Sequence, residues 1–412
     1  TQSFALMALL VAFIAASQDV VIDAYRTDVL KANERGLGSS LNVLGYRLAM
    51  ILSGGVAFIW VDPTQGGAWT WSEVYRLMAG LMVLAALFSA LFLPSLPKLE
   101  SNTPKSQARR DLIGFAAVLV AVALGGWLSS RYSLQLAQIL THPFWQGSIV
   151  SANLQTKWTE LLALLMSLAF TLPLAAYAAK AARFETMLGG LRSYFSQRGA
   201  LGFLVLIVLY KLGDAFALSL LTPFLLKAMA YSTAEVGVVN KVLGLWLTIG
   251  CALLGGALML RLGLWRSLIL FGLLQGLSNL SFWWLAVHGQ HALGAFSVPA
   301  FDWGFVSLKQ ATQVDGGLLL AVASDNIAGG MGTAAFLAFL TSLCNQRFTA
   351  TQFALLSAFA SIGRVWVGPV AGVTAEAIGW PAFFIIATLL SVPAIIMLWV
   401  MRESVRALEV AH

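Results

Sequence analysis

Long apolar segments recur along almost the whole chain, and they constrain its fold more strongly than any other feature. A helix needs about 20 mostly apolar residues to cross the hydrocarbon core of a bilayer. Only a helix lets such a segment satisfy its backbone hydrogen bonds within itself. The sequence therefore predicts an all-α polytopic membrane protein. Its eleven predicted helices are 4–25, 37–60, 74–94, 112–130, 158–179, 201–227, 235–260, 266–288, 317–343, 351–375 and 378–402.

The composition agrees with this fold class and excludes others. Hydrophobic residues make up 59% of the 412 residues and charged residues only 10%, whereas a soluble domain carries about 25% charged residues. The net charge of +7 does not indicate nucleic-acid binding, because the Lys and Arg residues lie in short loops between apolar segments. Cys251 and Cys344 lie in apolar segments and predict neither a disulfide framework nor a metal site.

The charges of the loops predict the orientation in the membrane. If the loop after the first helix is cytoplasmic, the loops on that side hold sixteen Lys and Arg residues and the opposite loops hold five. An excess of Lys and Arg marks the cytoplasmic side of helical membrane proteins. We therefore expect a cytoplasmic C-terminus and place Thr1 at the external face.

A repeated pattern divides the chain into two halves. In each half a short cytoplasmic loop leads into a helix with one intramembrane arginine, Arg47 early and Arg364 late. Internal repeats of this kind are common in transporters. The symmetry predicts about three further helices before residue 1. The predicted domains are the rest of an N-terminal six-helix half at 1–94, a linker with an inserted transmembrane hairpin at 95–200, a C-terminal six-helix half at 201–403 and a cytoplasmic tail at 404–412.

Several stretches in both halves closely resemble the AmpG family of muropeptide permeases, within the major facilitator superfamily. The resemblance covers about 1–94 and 201–403, and the inserted helices at 112–179 have no match in it. It implies the fold of that superfamily. The matching stretches include Ala16-Ser17-Gln18-Asp19, Leu44-Gly45-Tyr46-Arg47, Tyr210-Lys211-Leu212-Gly213-Asp214, Glu235-Val236-Gly237, Gly329-Gly330-Met331-Gly332 and Gly363-Arg364.

Carboxylates inside the predicted helices are the candidates for proton coupling. Ionisable groups in a bilayer are costly and usually functional. Asp19 and Asp23 lie four residues apart and therefore share one face of the first helix. Asp214 is a third candidate. An alternative is that Asp23 only neutralises Arg26 or Arg47 near the cytoplasmic end of its helix.

A second set of residues is predicted to contact substrate. Lys211 and Asp214 lie three residues apart within one helix and can neutralise each other. They form either a structural pair or a switch that opens when Asp214 is protonated or Lys211 meets an anionic substrate. The other candidates are Tyr46 and Tyr210 as ring-stacking aromatics, Asp325 and Asn326, and, by the resemblance, Ala16 and Gln18.

Three cations are predicted to belong to gates. Arg47 and Arg364 occupy equivalent places in the two halves, where a guanidinium binds either a substrate carboxylate or nearby acids and helix ends. We favour the gating network. Lys241 lies near the predicted external face, where an interface anchor or an external gate is the expected role.

The resemblance implies proton-driven import of N-acetylglucosaminyl-1,6-anhydro-N-acetylmuramyl peptides across the inner membrane of a Gram-negative bacterium, for cell-wall recycling. The expected partners are the muropeptide, protons and the lipid bilayer, and the expected state is a monomer. One rival is a transporter of another anionic cargo such as acetyl-CoA, and a second is a membrane-embedded enzyme or sensor. The sequence has no phosphate-binding loop, no H-E-x-x-H and no G-x-S-x-G, so we expect neither catalysis nor a cofactor.

Overall fold

The computed structural model describes residues 2–31, 34–50, 53, 57–61, 69–95, 105–146, 152–302, 307–308, 311–345 and 347–410. Nearly all of its regular structure is helical. The α-helices are α1 (Gln2–Val29), α2 (Arg35–Met50), α3 (Ala57–Val61), α4 (Trp71–Phe92), α5 (Lys105–Trp145), α6 (Ala152–Ala181), α7 (Glu185–Phe195), α8 (Ala200–Tyr210), α9 (Leu212–Ser219), α10 (Leu221–Pro223), α11 (Thr233–Val238), α12 (Leu245–His288), α13 (Gly316–Ser342), α14 (Thr349–Leu389), α15 (Val392–Val400) and α16 (Arg402–Val410). Two π-helical segments are Phe224–Ala228 and Val239–Gly244.

Among the described residues, seven helical stretches are long and apolar enough to cross a bilayer. This confirms the prediction of a polytopic helical membrane protein, whereas the count of eleven crossings stays a prediction. The seven stretches are Leu6–Val29, Trp71–Phe92, Gln107–Trp145, Leu154–Ala181, Ala200–Ala228, Leu245–His288 and Val370–Val400.

Two of the long helices are each broken by one glycine. Gly263 in α12 has φ 76° and ψ 173°, and Gly379 in α14 has φ 76° and ψ 165°. These angles lie in a region that essentially only glycine adopts. The 44 residues of α12 would form a straight rod of about 66 Å, so the break divides it into two arms of roughly membrane length. The break at Gly263 falls between the predicted segments 235–260 and 266–288, and the break at Gly379 falls at the start of the predicted segment 378–402.

Other segments differ from the sequence expectation. Helix α5 extends well beyond the predicted 112–130 at both ends, and α6 begins six residues before the predicted 158–179, because polar residues continue their helical turns. The predicted helix 201–227 is interrupted at Lys211 and Leu220 and ends in π-helix. Between the predicted helices 266–288 and 317–343, the chain contains two short antiparallel ladders. They pair β1 (Ala295–Val298) with β4 (Thr312–Asp315) and β2 (Phe301–Asp302) with β3 (Ser307–Leu308).

Contacts within the chain define two compact units. Unit 1 comprises Thr1–Asp28, Lys98–Leu220 and Leu343–Ala394. Its core lies where α14 packs on α8 and α9, and the ring centroids of Phe216 and Phe383 stack there at 4.7 Å. Helices α5 and α6 pair with each other, and α6 also packs on α14.

Unit 2 comprises Val29–Pro97, Leu221–Ser342 and Ile395–His412. Its helices approach each other closely at small residues. A Cβ atom on Gly330 of α13 would lie 2.5 Å from the Thr248 carbonyl oxygen of α12, and one on Gly332 would lie 2.7 Å from the Gln275 amide oxygen. Gly330 and Gly332 therefore allow the close approach of α13 to α12, whereas nothing lies within 4 Å of a Cβ on Gly329.

The C-terminal helix α16 docks beside the break in α12. The Glu409 carboxylate accepts a hydrogen bond of 2.9 Å from the backbone N–H of Trp265, in the first turn of the second arm. The Arg406 guanidinium lies 4.5 Å from the centre of the Trp265 ring, whose indole N–H donates to the Leu398 carbonyl oxygen at 2.8 Å. The carboxylate therefore caps a helix N-terminus, where negative charge is stabilising.

Candidate intramembrane charge sites

The C-terminal end of α1 carries a buried ion pair in unit 1. Arg26 Nη2 lies 3.0 Å from Asp23 Oδ1, and the two side chains are 9% and 29% exposed. The Arg26 guanidinium also lies over the Phe353 ring of α14, at 5.4 Å from its centre. Its Nε and Nη1 atoms have no hydrogen-bond partner among the described residues. Asp23 thus pairs with Arg26, as the alternative in which it only neutralises a nearby arginine predicts.

The start of α14 is held by polar side chains next to this ion pair. Thr349 donates a hydrogen bond of 2.6 Å from its hydroxyl to the Asp28 carboxylate of α1. Gln352 is fully buried, donates to the Gly190 carbonyl oxygen of α7 at 3.0 Å, and accepts from the Asn345 N–H at 2.7 Å. These contacts join α1, α7 and α14 at the end of α1 that carries Asp23 and Arg26.

The remaining candidate residues on α1 precede Asp23 in the helix and are exposed. Ala16, Gln18 and Asp19 lie within one turn of α1, inside the apolar stretch Leu6–Val29. Asp19 and Asp23 share a face, as their spacing predicts, but only Asp23 belongs to the buried ion pair. The two carboxylates therefore have different surroundings.

Lys211 and Asp214 form the second intramembrane pair. Lys211 Nζ lies 3.7 Å from Asp214 Oδ2, with side chains 16% and 17% exposed. This is longer than the 2.7–2.9 Å typical of a charge-assisted hydrogen bond. The helix is interrupted at Lys211, between α8 and α9. A Cβ on Gly213 would lie 2.7 Å from the Ala387 carbonyl oxygen of α14, so the pair lies on a tightly packed helix. Tyr210 precedes it and is buried.

In unit 2, the Asn326 side chain joins α13 to α12. Its Oδ1 atom accepts a hydrogen bond of 2.6 Å from the Thr248 hydroxyl, and its Nδ2 atom donates to the Val322 carbonyl oxygen at 2.7 Å. Gly244 packs against the same amide, since a Cβ there would lie 2.8 Å from Nδ2. Asp325 is half-buried beside it. These contacts favour a packing role for Asn326.

The other predicted residues are spread over both units. Tyr46 is exposed on α2, and Arg47 is half-buried in the last turn of the same helix. Lys241 lies in the π-helical segment Val239–Gly244, and Arg364 lies in α14. The side chains of Lys241 and Arg364 are outside the described residues.

A buried carboxylate that the sequence interpretation missed lies at the start of α13. Asp315 is fully buried and accepts hydrogen bonds from the Tyr231 hydroxyl at 3.0 Å, from the Leu318 N–H at 2.9 Å and from the His291 N–H. Its own N–H donates to the Glu235 carboxylate at 2.7 Å. Burial, followed by the charge of Asp315, raises the pKa of the Tyr231 hydroxyl, so that it stays a donor.

Arg26 was only partly anticipated. The sequence interpretation names it as one possible partner of Asp23 but also counts it among the cytoplasmic loop charges, whereas α1 continues to Val29 and buries the guanidinium. The spacing of Asp23 and Arg26, three residues apart, is the signal that predicts their pairing. Asp315 also has a local signal, because it precedes the first residue of α13 and caps that helix by accepting from the Leu318 N–H. Its contacts with Tyr231 and Glu235 have no such signal, since these residues lie 84 and 80 residues away.

Comparison with known proteins identifies close relatives, although no protein-family model matches the chain. The anhydromuropeptide permease of Escherichia coli strain K12 is 37% identical over 400 residues, which cover 97% of this chain and 60% of the permease. The permease of strain O157:H7 gives the same values. A Rickettsia conorii protein whose name includes transporter AmpG 4 is 23% identical over 403 residues, which cover 98% of this chain and 73% of that protein.

The chain thus spans about three fifths of the length of the two permeases. The similarity also runs through the inserted helices at 112–179, for which the sequence motifs show no match, because 97% of the chain is aligned. The predicted resemblance is confirmed, and this chain is a relative of the AmpG-like anhydromuropeptide permeases.

Proposed function

We propose that the protein imports anhydromuropeptides from the periplasm into the cytoplasm and couples this import to protons. The observation that carries the proposal is the 37% identity over 400 residues to an anhydromuropeptide permease. Seven apolar helical stretches among the described residues agree with a membrane transporter. Charged residues within those stretches supply the chemistry that proton coupling and anion binding need.

The Lys211–Asp214 pair is the proposed coupling element. Its 3.7 Å separation leaves the ammonium and the carboxylate without a short hydrogen bond to each other. Protonation of Asp214 removes one charge of the pair and leaves the Lys211 ammonium available to a carboxylate of the muropeptide peptide. Loss of that proton on the cytoplasmic side restores the pair and favours release of the substrate.

Asp19 and Asp23 take different parts in this proposal. Asp23 is committed to Arg26 at 3.0 Å, whereas Asp19 is exposed one turn away. Asp19 is therefore the α1 carboxylate that exchanges protons in this proposal, whereas Asp23 stays paired with Arg26. Ala16 and Gln18 lie beside Asp19 and are proposed to contact substrate.

The same proposal includes the architecture of the major facilitator superfamily with eleven crossings in this chain and the domain boundaries predicted from the repeat. It also includes a monomer in a Gram-negative inner membrane with a cytoplasmic C-terminus. Alternating access then moves one repeat against the other around a central site. In this scheme Tyr46, Tyr210 and Asp325 contact substrate, and Asn326 does so in addition to packing α13 on α12. Arg47, Arg364 and Lys241 gate the site.

Uptake of labelled anhydromuropeptide into proteoliposomes, with and without an inward proton gradient, tests the proposal. We expect gradient-dependent uptake that is strongly reduced in Lys211→Ala and Asp19→Asn. Lys180→Gln, at an exposed end of α6, is the matched control and is expected to transport normally.

The outcomes separate the parts of the proposal. Uptake that is the same with and without the gradient contradicts proton coupling but retains the cargo. Absence of uptake by protein that is folded, as judged by size-exclusion chromatography, contradicts the cargo and moves the assignment to another anionic substrate.

A further inference from the structure

A groove on unit 1 lies between α6 of the inserted hairpin and α14. It encloses about 300 Å³, at the lower end of the range of ligand pockets of about 300–1,000 Å³. Its walls are almost entirely apolar and include Leu161 on α6 and Val373 and Ala377 on α14. Nothing in the proposed transport mechanism uses this groove.

One end of the groove carries a pair of opposite charges. Lys157 lines the groove, and its Nζ atom lies 2.9 Å from the Glu160 carboxylate on the next turn of α6. Both side chains remain substantially exposed, at 41% and 46%. The pair therefore presents an ammonium and a carboxylate side by side to a ligand. Each group can form further hydrogen bonds besides the one that joins the two.

The position of this pair matches a membrane interface. Lys157 lies near the start of the apolar stretch Leu154–Ala181, within about 5 Å of its end at 1.5 Å per residue. Trp158 follows it, lines the groove and is exposed. Lys and Trp are typical of the level of the lipid headgroups. The apolar part of the groove faces the hydrocarbon region.

We propose that this groove is a specific site for a phospholipid with a zwitterionic headgroup that carries a primary ammonium, such as phosphatidylethanolamine. One acyl chain fills the apolar groove. The lipid phosphate contacts the Lys157 ammonium, and the lipid ammonium contacts the Glu160 carboxylate. A purely anionic lipid satisfies Lys157 but places its phosphate beside Glu160 without a compensating cation.

The size of the groove decides against a helix from a partner protein. A helix about 10 Å across has a cross-section of about 80 Å², so the 300 Å³ of the groove would hold less than 4 Å of its length. An acyl chain is much thinner and fits such a groove lengthwise. The charge pair then selects the headgroup, which general contact with bulk lipid does not do.

Native mass spectrometry of the full chain in detergent tests the proposal. Phosphatidylethanolamine and phosphatidylglycerol with identical acyl chains are titrated separately, and the first bound lipid is quantified. We expect the unchanged protein to bind phosphatidylethanolamine more tightly than phosphatidylglycerol. Lys157→Gln is expected to bind phosphatidylethanolamine about tenfold more weakly than the unchanged protein, because one charge-assisted contact is lost. Lys180→Gln on the same helix lies outside the groove and is expected to bind as the unchanged protein does.

Two further variants separate the groove from the charges. Ala377→Trp fills the groove and is expected to weaken the binding of both lipids. Glu160→Gln is expected to remove the preference for phosphatidylethanolamine over phosphatidylglycerol. Equal binding of the two lipids by the unchanged protein, or an equal loss in Lys157→Gln and Lys180→Gln, overturns the proposal. If Ala377→Trp does not fold, the headgroup preference and its loss in Glu160→Gln still decide the outcome.

Discussion

Removal of the Asp23 carboxylate is expected to destabilise unit 1 much more than removal of its partner Arg26. In Asp23→Asn the guanidinium stays 9% exposed and loses its one ion-pair partner among the described residues. Breaking a buried pair in this way costs about 3–5 kcal/mol. Because the Phe353 ring still provides about 1 kcal/mol, we expect a loss of about 3 kcal/mol. Arg26→Met leaves a carboxylate that is 29% exposed and can hydrate, so about 1 kcal/mol is expected.

Thiol labelling of Cys344 measures this difference. Cys344 lies in unit 1 and is only 3% exposed, so a reagent reaches it when the surrounding helices open. In a Cys251→Ala background it is the one remaining thiol of the chain, which has two cysteines. When closing is fast, the labelling rate follows the population of the open form. A loss of 3 kcal/mol corresponds to about 150-fold faster labelling.

The double variant and a control complete the test. Asp23→Asn combined with Arg26→Met is expected to label about as fast as Arg26→Met alone, because no buried charge is left without its partner. Asp19→Asn changes an exposed carboxylate on the same helix and is expected to change the rate less than threefold. Additive effects of the two single changes, or equal rates in both, would refute the reasoning.

Three other changes test contacts in unit 2. Gly330→Ala places a methyl group against a backbone carbonyl and is expected to cost about 1–3 kcal/mol in chemical unfolding, whereas Gly329→Ala, in open space, is expected to be neutral or stabilising. Glu409→Gln removes the charged cap of the second arm of α12 and is expected to speed hydrogen exchange in α16, whereas Glu403→Gln, which is 88% exposed, should not. The pKa of the Tyr231 hydroxyl is raised in the folded protein. Its contribution to the free energy of unfolding is therefore complete below the unfolded pKa of about 10 and is lost as the pH rises above that value. Tyr231→Phe is expected to reduce the dependence of the free energy of unfolding on pH in this range. An unchanged slope contradicts this role of the hydroxyl.

Local patterns in the sequence predict those features that depend on neighbours along the chain. The apolar segments, the division of α12 and α14 and the Lys211–Asp214 pair all follow from spacing within one or two turns. Each of these predictions uses only the period of a helix or the length of a membrane crossing.

Features that depend on distant partners escaped the sequence interpretation. The burial of Arg26 depends on Phe353, and that of Gln352 depends on Gly190, which lies 162 residues away. Asp315 is the last residue of β4, and only the folded chain brings Tyr231 to it. The role of Asn326 was open for the same reason, since Thr248 lies on another helix.

The breaks at Gly263 and Gly379 also restrict how this chain can change during evolution. Both glycines have φ and ψ values that essentially only glycine adopts, so a side chain at either position is excluded by backbone conformation alone. At Gly263 the Glu409 carboxylate also lies 3.0 Å from where a Cβ would be, whereas nothing lies within 4 Å at Gly379. Among relatives of this chain we therefore expect these two positions to remain glycine while the apolar residues on either side exchange freely for one another.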